Sequence, residues 1–110
     1  MWIWSVQLRK GLVELCVMAA LRDGEAYGYQ IVQRLGRIDC LGGTESTIYP
    51  ILARLARESL LCVRAGPSPT GPPRRYYRLT PLGFARLREM ETTWRVVQAA
   101  VNSQLKGQSQ

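Results

Sequence analysis

Apolar residues in the first half of the chain recur every three or four positions, which is the spacing of one face of an α-helix. Residues 1–6 are interpreted as a short arm that carries Trp2 and Trp4. The pattern then predicts a first helix over residues 7–22 and a second helix over residues 26–37, separated by a turn.

A third helix is predicted from Ser46 or Thr47 to about Glu58, with Thr44 or Ser46 as its capping residue. Pro50 favours this late start. A proline inside a helix removes a backbone hydrogen bond and costs about 3 kcal/mol, whereas the cost shrinks near the first turn. The helix is expected to bury an apolar stripe. Its polar side carries Ser46, Tyr49, Ala53, Arg54 and Arg57.

The second half of the chain predicts a β-hairpin and a long helix. Residues 60–64 form a short apolar strand, residues 66–73 a loop rich in proline and glycine, and residues 74–79 the returning strand. Thr80 caps a last helix that begins with Pro81 and runs to about residue 104. Its apolar positions step by three and four as a heptad seam, the predicted dimer interface: Leu87, Met90, Trp94, Val97 and Val101.

Three helices, a hairpin and a long final helix are the element order of a winged helix-turn-helix with an added dimerisation helix. The sequence therefore predicts a mainly α fold with a small β-hairpin. Residues 1–79 would form the arm and winged-helix domain, and residues 80–110 the dimerisation helix and tail. In such a fold the third helix enters the DNA major groove and the hairpin is the wing. Enzymes and protein-interaction domains also use this order, so function needs further evidence.

The charge distribution favours a polyanionic partner. The net charge is +7, and residues 54–88 hold eight arginines but one acidic residue, Glu58. Phosphate contacts come mainly from such side chains. A membrane surface would call for a basic amphipathic helix, whereas much of this cluster lies in the hairpin. The longest near-apolar stretch, residues 12–21, is too short to span a bilayer, and no signal-peptide pattern is present, so we expect a cytoplasmic protein.

Catalysis and metal binding find little support in the residue types. The chain has no histidine, which removes the commonest general base. Its three cysteines, Cys16, Cys40 and Cys62, are far apart and supply at most three of the four ligands that a zinc site needs. We expect reduced cysteines that act as small apolar residues, and neither an enzyme nor a cofactor.

Three motifs resemble the PadR family of bacterial transcriptional regulators. They are Gln7-Leu8-Arg9-Lys10-Gly11 with Tyr27-Gly28-Tyr29-Gln30-Ile31, then residues 46–55 (STIYPILARL), then residues 73–83 (PRRYYRLTPLG). The resemblance spans roughly residues 8–83, and the short remainder is similar to the small subclass with a single C-terminal helix. Where many relatives have glycine after the third helix, this chain has Ser59, which puts the tightness of that turn in question.

The resemblance implies a homodimer joined through the C-terminal helices, which represses promoters at near-palindromic operators in double-stranded DNA. Some relatives are relieved by phenolic acids and others by planar cationic drugs held between tryptophans at the dimer interface. Trp94 stands in the corresponding region, and Trp4 is a second candidate for such a small aromatic effector.

The residues expected to contact DNA lie in the third helix, at the start of the second helix and in the returning strand. They are Tyr29, Thr44, Ser46, Thr47, Tyr49, Pro50, Arg54, Arg74, Arg75 and Tyr77. Strand side chains alternate in direction, so one of the two arginines should point to DNA, and one of Tyr76 and Tyr77 should face the core.

Several of these candidates have a structural alternative. Tyr49 either contacts a phosphate or a thymine methyl group, or is a half-buried ring that supports the turn. Ser46 and Thr47 either donate to DNA or only cap the helix. Arg54 either contacts DNA or pairs with Glu58 four residues later. For the whole protein, the alternative is an adaptor that uses the winged helix and the heptad seam to bind another protein.

Overall fold

The computed structural model describes residues 3–107, which form four α-helices, a short 3-10 helix and three strands. This confirms the predicted mainly α fold with a small β-hairpin. In chain order the elements are α1 (Ile3–Ala19), β1 (Ala26–Tyr27), α2 (Gly28–Gly36), the 3-10 helix Asp39–Leu41, α3 (Glu45–Arg57), β2 (Leu61–Gly66), β3 (Arg74–Leu79) and α4 (Pro81–Lys106).

The strands form one antiparallel sheet in the order β1-β3-β2. β2 and β3 are the predicted hairpin, with Leu61 opposite Leu79 at the base and Gly66 opposite Arg74 at the far end. β3 has the predicted bounds, whereas β2 starts one residue later than predicted and extends to Gly66. The proline-rich loop therefore begins only after the strands have paired over their full length.

The predicted start of the second helix at Ala26 is wrong by two residues. Ala26 and Tyr27 are extended and pair with Tyr77 and Tyr76 of β3. Tyr27 has φ −84° and ψ 158° and precedes α2 as its N-cap, and its backbone N–H donates to the side-chain oxygen of Gln30 at 3.1 Å. A strand of two residues is too short to show an alternating pattern, so the sequence gives no signal for it.

The N-terminal segment is helical where an arm was predicted. α1 begins at Ile3 and includes Trp4, because no glycine or proline separates these residues from the helix that follows. It ends at Ala19, before the predicted residue 22, and gives way to turns in which the Leu21 N–H donates to the Met18 carbonyl at 3.1 Å. Trp2 lies outside the described residues.

The third helix begins at Glu45, one residue before the predicted range of starts, and its N-cap is one of the two predicted caps. Thr44 occupies the N-cap position, and the Ile48 N–H donates to its carbonyl at 2.9 Å, so the first turn forms before Pro50. Pro50 is the sixth residue of α3 and lies inside the helix, at a cost of about 3 kcal/mol. The helix persists because Ile48, Leu52 and Leu55 are fully buried, and each such side chain contributes about 1.5–3 kcal/mol.

The core lies between α1, α2, α3 and the inner face of the hairpin. Among the side chains that the structure describes, those of residues 3–107 without Asp39, no charged side chain is buried, and the core is built from apolar and aromatic side chains. Its buried members are Val13, Val17, Met18, Leu21, Ala26, Ile31, Val32, Leu35, Leu41, Ile48, Leu52, Leu55, Leu60, Leu61, Tyr77, Leu79 and Leu87.

The three cysteines are free thiols, with Cys40 exposed and the other two half-buried. Burial raises the pKa of the Cys16 thiol, and the charge of Cys40 raises it further. Within residues 3–107, leaving aside the side chain of Asp39, no three His, Cys, Asp or Glu side chains come together in a way that could hold a metal ion. Over the same residues, none of the helices combines the length and apolar character needed to cross a membrane.

α4 starts as predicted and then leaves the body of the protein. The hydroxyl of Thr80 accepts a hydrogen bond from the Gly83 N–H at 3.0 Å, and Pro81 follows the cap. Gly83 and Leu87 join the core, whereas every residue from 92 to 107 is exposed. The helix thus extends the molecule to 62 Å along its longest axis. A helical segment of this length is marginal by itself in water.

We predict that Gly83→Ala destabilises the protein by about 2 kcal/mol or more, because overpacking against backbone cannot be relieved by side-chain rotation. A Cβ atom at this position would overlap the carbonyl oxygen of Leu60, whose carbon lies at 3.1 Å. Gly71→Ala is the matched control, since its Cβ would meet nothing within 4 Å. Urea denaturation of both variants measures the difference. Equal free energies of unfolding would contradict the close approach of α4 to the start of the hairpin.

Candidate nucleic-acid interface

The side of α3 opposite its buried stripe carries a row of exposed residues. Ser46, Pro50, Ala53 and Arg57 follow one another at intervals of four, three and four positions and are all exposed; we term them the outer row. This spacing places them on one line along the helix. Within residues 3–107 the guanidinium of Arg57 takes part in no ion pair. Arg57 was not among the predicted contacts, although the spacing from Ser46 would have identified it.

A cavity of about 560 Å³ adjoins the outer row on the side of α2 and the hairpin. Tyr49 stands on this flank of α3. Its ring lies against the backbone of Gly28, where a Cβ atom would come within 2.7 Å of the Tyr49 Cε1. Any larger residue at this position would push the ring outward. The lining residues are Tyr27, Gly28, Tyr29, Tyr49, Ala53, Arg74, Arg75 and Tyr77.

The hydroxyl of Tyr49 is held in its protonated, donating form. Partial burial raises the pKa of Tyr49 above its ordinary value, and the nearby Glu45, Tyr77 and Tyr29 raise it further. Tyr49 is 38% exposed and Tyr29 is 46% exposed, so both rings reach the surface beside the outer row. The ring is thus partly packed while its edge stays accessible, and contact of Tyr49 with DNA stays a prediction.

The far end of the paired strands, next to the proline-rich loop, is stiffened by aromatic and cationic stacking. The Arg74 guanidinium lies 4.0 Å from the centre of the Tyr27 ring, and that of Arg64 lies 4.6 Å from the Tyr76 ring. The two rings meet edge to face at 5.9 Å. Such contacts contribute about 0.5–1 kcal/mol each at exposed sites. Arg75 shares a strand face with the buried Tyr77, but it is exposed because it lies beyond the core, beside the cavity.

Tyr77, which was expected among the DNA contacts, is the tyrosine of the pair that faces the core. Its ring is 6% exposed and belongs to the core, and it touches the cavity from the inner side. The register of β3 accounts for this, because Tyr77 shares a face with the buried Leu79. Tyr76 lies on the opposite face, half-buried, and its hydroxyl donates to the carbonyl oxygen of Pro67 at 3.1 Å. Both tyrosines thus support the wing.

Arg54 lies on the other flank of α3 and is engaged with two carboxylates. It pairs with Glu58 at 3.2 Å, which is the structural alternative that the sequence offers, and also with Glu14 of α1. The hydrogen bond to Glu14 is the main reason that the pKa of Arg54 is raised, with a further contribution from Glu58. The positive charge of Arg54 is therefore compensated within the protein.

The hydroxyl groups at the start of α3 form a small cluster. The Thr44 hydroxyl lies 3.0 Å from that of Ser46 and 3.2 Å from that of Thr47. Thr44 is the N-cap by backbone position, but its side chain makes no capping hydrogen bond to the backbone. Thr44 and Ser46 are exposed and Thr47 is half-buried, so two of the three hydroxyls face outward.

A second, apolar groove of about 390 Å³ lies between α1 and α4. Trp94 forms part of its wall and is 36% exposed. Trp4, the second candidate for contact with an aromatic effector, does not line this groove, and its role stays a prediction. The walls are Leu8, Gly11, Leu12, Leu15, Arg86, Glu89, Met90, Thr93, Trp94 and Val97.

Comparison with known proteins finds the same family in a family model and in solved structures. The transcriptional regulator PadR-like family matches residues 17–89. A PadR-like transcription factor from Bacteroides fragilis is 40% identical, with 89% of this chain and 94% of that chain covered and a TM-score of 0.75. A PadR-like transcriptional regulator from Bacillus cereus is 33% identical, with 93% and 99% covered and a TM-score of 0.81.

One further structure similar to this chain contains a nucleic acid. It is Bacillus subtilis PadR in complex with operator DNA, which is 29% identical. It covers 69% of this chain, whereas this chain covers 44% of it, with a TM-score of 0.62.

The ion pair that ties the hairpin to the segment before β1 gives a pH-dependent prediction. Arg64 donates to Glu25 at 2.7 and 2.6 Å, and these hydrogen bonds lower the pKa of the Glu25 carboxyl. Since the folded pKa is lowered, the pair stabilises the fold above the unfolded pKa of Glu25, and this contribution disappears as the pH falls through the folded pKa.

We therefore expect NMR titration to find the Glu25 carboxyl ionised at a lower pH than an ordinary glutamate. In Arg64→Met its pKa should return towards the ordinary value, whereas Arg75→Met should leave it unchanged, because Arg75 does not contact Glu25. The same pKa in all three proteins would show that the pair does not persist in solution.

Proposed function

We propose that this chain, which belongs to the PadR-like family of transcriptional regulators, binds double-stranded DNA as a homodimer and represses transcription at near-palindromic operators. The outer row of α3 carries the proposal. It is exposed along its whole length, and its side chains are short as far as Arg57, so the helix can enter a major groove about 12 Å wide. The structure of a related protein with operator DNA supports the same use of the fold.

The arginines beside the outer row support a phosphate-contacting role. Among residues 3–107, Arg57 at the end of the row and Arg75 in the hairpin are exposed and make no ion pair. Tyr29 and Tyr49 line the same cavity as Arg75, and Thr44 and Ser46 stand at the start of α3; all four are exposed and offer uncharged hydroxyl donors. Arg74 and Arg54 have protein partners, so we assign them supporting roles in the interface.

α4 supports the dimer. Leu87 is buried in its own chain, but further along the seam Val97 and Val101 are 46% and 49% exposed. Together with Met90 and Trp94 they form an apolar stripe at heptad spacing on a projecting helix. A second α4 packed on this stripe would cover it and would hold two outer rows at a fixed separation, as a near-palindromic operator requires.

The apolar groove beside Trp94 supports relief of repression by a small aromatic ligand. Its wall is mostly hydrocarbon and its volume suits a compound of a few rings. Gly11 of α1 lines this groove and also a neighbouring cavity shared with Glu14 and Arg54, so α1 links the groove to α3. Quenching of Trp94 fluorescence by a flat aromatic compound is the direct measurement. The proposed role implies a cytoplasmic location.

We predict that Arg57→Ala and Arg75→Ala each weaken DNA binding about tenfold and flatten its salt dependence. The slope of log K against log salt should fall by about 0.9 for each phosphate that the variant no longer neutralises. The measurement is fluorescence anisotropy at several salt concentrations, on a duplex that the wild type selects from a random-sequence pool. Arg95→Ala on α4 removes the same charge, from a residue paired with Glu91, and should leave the slope unchanged.

The same titrations separate the two functions that the sequence offers. Equal slopes in all three variants would contradict the assignment of Arg57 and Arg75. If the wild type selects no duplex and shows no salt-sensitive binding, the DNA role itself is wrong and the protein-binding adaptor is favoured.

We predict that Val97→Glu combined with Val101→Glu converts a dimer into a monomer, because the seam would bury unpaired carboxylates. Light scattering should give twice the chain mass of 12.4 kDa for the wild type and the single mass for the double variant. Val96→Glu is the control, since Val96 is 65% exposed and lies off the seam. A wild-type monomer, or a dimer that survives both glutamates, would contradict this interface.

A further inference from the structure

The outer row of α3 contains a proline that weakens its own helix. The helical ladder already exists before Pro50, since the Ile48 N–H donates to the Thr44 carbonyl at 2.9 Å. Pro50 lacks the N–H that would bond to the carbonyl of Ser46, so the helix has one hydrogen bond fewer at this point. The ring is exposed and does not belong to the core, so burial of the proline itself does not offset this cost. Residues that break a local rule on an exposed surface are candidates for function.

The centre of the outer row is hydrocarbon. Between the hydroxyl of Ser46 and the guanidinium of Arg57 stand the ring of Pro50 and the methyl group of Ala53, both exposed. Neither side chain can donate or accept a hydrogen bond. Against the polar edge of a guanine or an adenine they would leave donors and acceptors unpaired, which is costly. The C5-methyl group of thymine is the one apolar feature that the major groove presents.

We propose that Pro50 and Ala53 recognise thymine methyl groups and are specificity-determining residues of the DNA interface. This inference rests on the proposed function and adds the base that the outer row selects. The two residues are separated by about 4.5 Å along the helix axis, at about 1.5 Å per residue. Base pairs are stacked about 3.4 Å apart. The row therefore suits two thymines at neighbouring positions of each half-site.

The flanking side chains place this apolar patch at the groove floor. Tyr49 beside the row and Arg57 at its end carry the hydroxyl and the charge that contact the backbone. Because Pro50 and Ala53 are short, their carbon atoms approach base edges only if the helix itself lies deep in the groove. The proposal therefore requires α3 to lie close to the base edges in the major groove.

The test replaces thymines by deoxyuridine, one position at a time and in both half-sites, within the duplex that the wild type selects from a random-sequence pool. Removal of one buried methyl group should weaken binding about fourfold per half-site at one or two positions. In Ala53→Gly, deoxyuridine should no longer weaken binding at one of these positions. In Pro50→Ala, deoxyuridine should no longer weaken binding at the other position. Ala56→Gly makes the same change in the same helix, away from the row, and should retain the weakening at both positions.

Thermal unfolding provides a second measurement. Pro50→Ala restores a backbone donor inside α3, so its Tm should rise while its discrimination between thymine and deoxyuridine falls. A purely structural proline would change Tm without changing the discrimination. Binding that tolerates deoxyuridine at every position would overturn the proposal, as would deoxyuridine effects of equal size in wild type, Ala53→Gly and Pro50→Ala. If the proposed function itself is wrong, the wild type selects no duplex at all, and this outcome is distinct from a failure of the thymine proposal.

Discussion

The rotation of α3 about its own axis is fixed by three fully buried side chains, Ile48, Leu52 and Leu55. Each of these residues lies against the close-packed core. Rotation of α3 about its axis would expose all three side chains, at a cost of several kcal/mol. The outer row is the geometrical consequence of this burial, because it lies on the opposite side of the same helix. The chemistry offered to a partner is therefore determined by apolar packing rather than by the polar residues themselves.

Ion pairing then decides which of the many arginines contribute to the surface potential at this face. Arg54 is engaged with carboxylates of α1 and α3, and Arg64 with Glu25, so their charges are compensated locally. Arg57 and Arg75 have no such pairs among residues 3–107. Arg57 ends the outer row, and Arg75 lines the 560 Å³ cavity beside it. The sequence shows an excess of arginine over residues 54–88, but only the fold shows where that excess is concentrated.

The sequence predicts elements whose signals are local and strong. The start of α4 is indicated by Thr80 followed by Pro81, and the bounds of β3 are indicated by the alternation in residues 74–79. Both signals are reliable because capping and strand patterns act over a few residues. The orientation of Tyr77 could not be predicted in the same way. Either register of β3 satisfies the alternation, and the choice depends on pairing with β1, a strand of two residues.

Pro50 shows why propensity alone misplaces an element. By local propensity, the proline moves the start of the helix later in the chain, but the buried stripe begins at Ile48 and cannot join the core unless the turn from Thr44 is already helical. Tertiary burial of several apolar side chains exceeds the local cost of one proline. The site was predicted only in part for a related reason. Arg54 and Arg57 are indistinguishable as residue types, and their ion pairing differs because Glu14 of a distant helix lies within reach of Arg54 and not of Arg57.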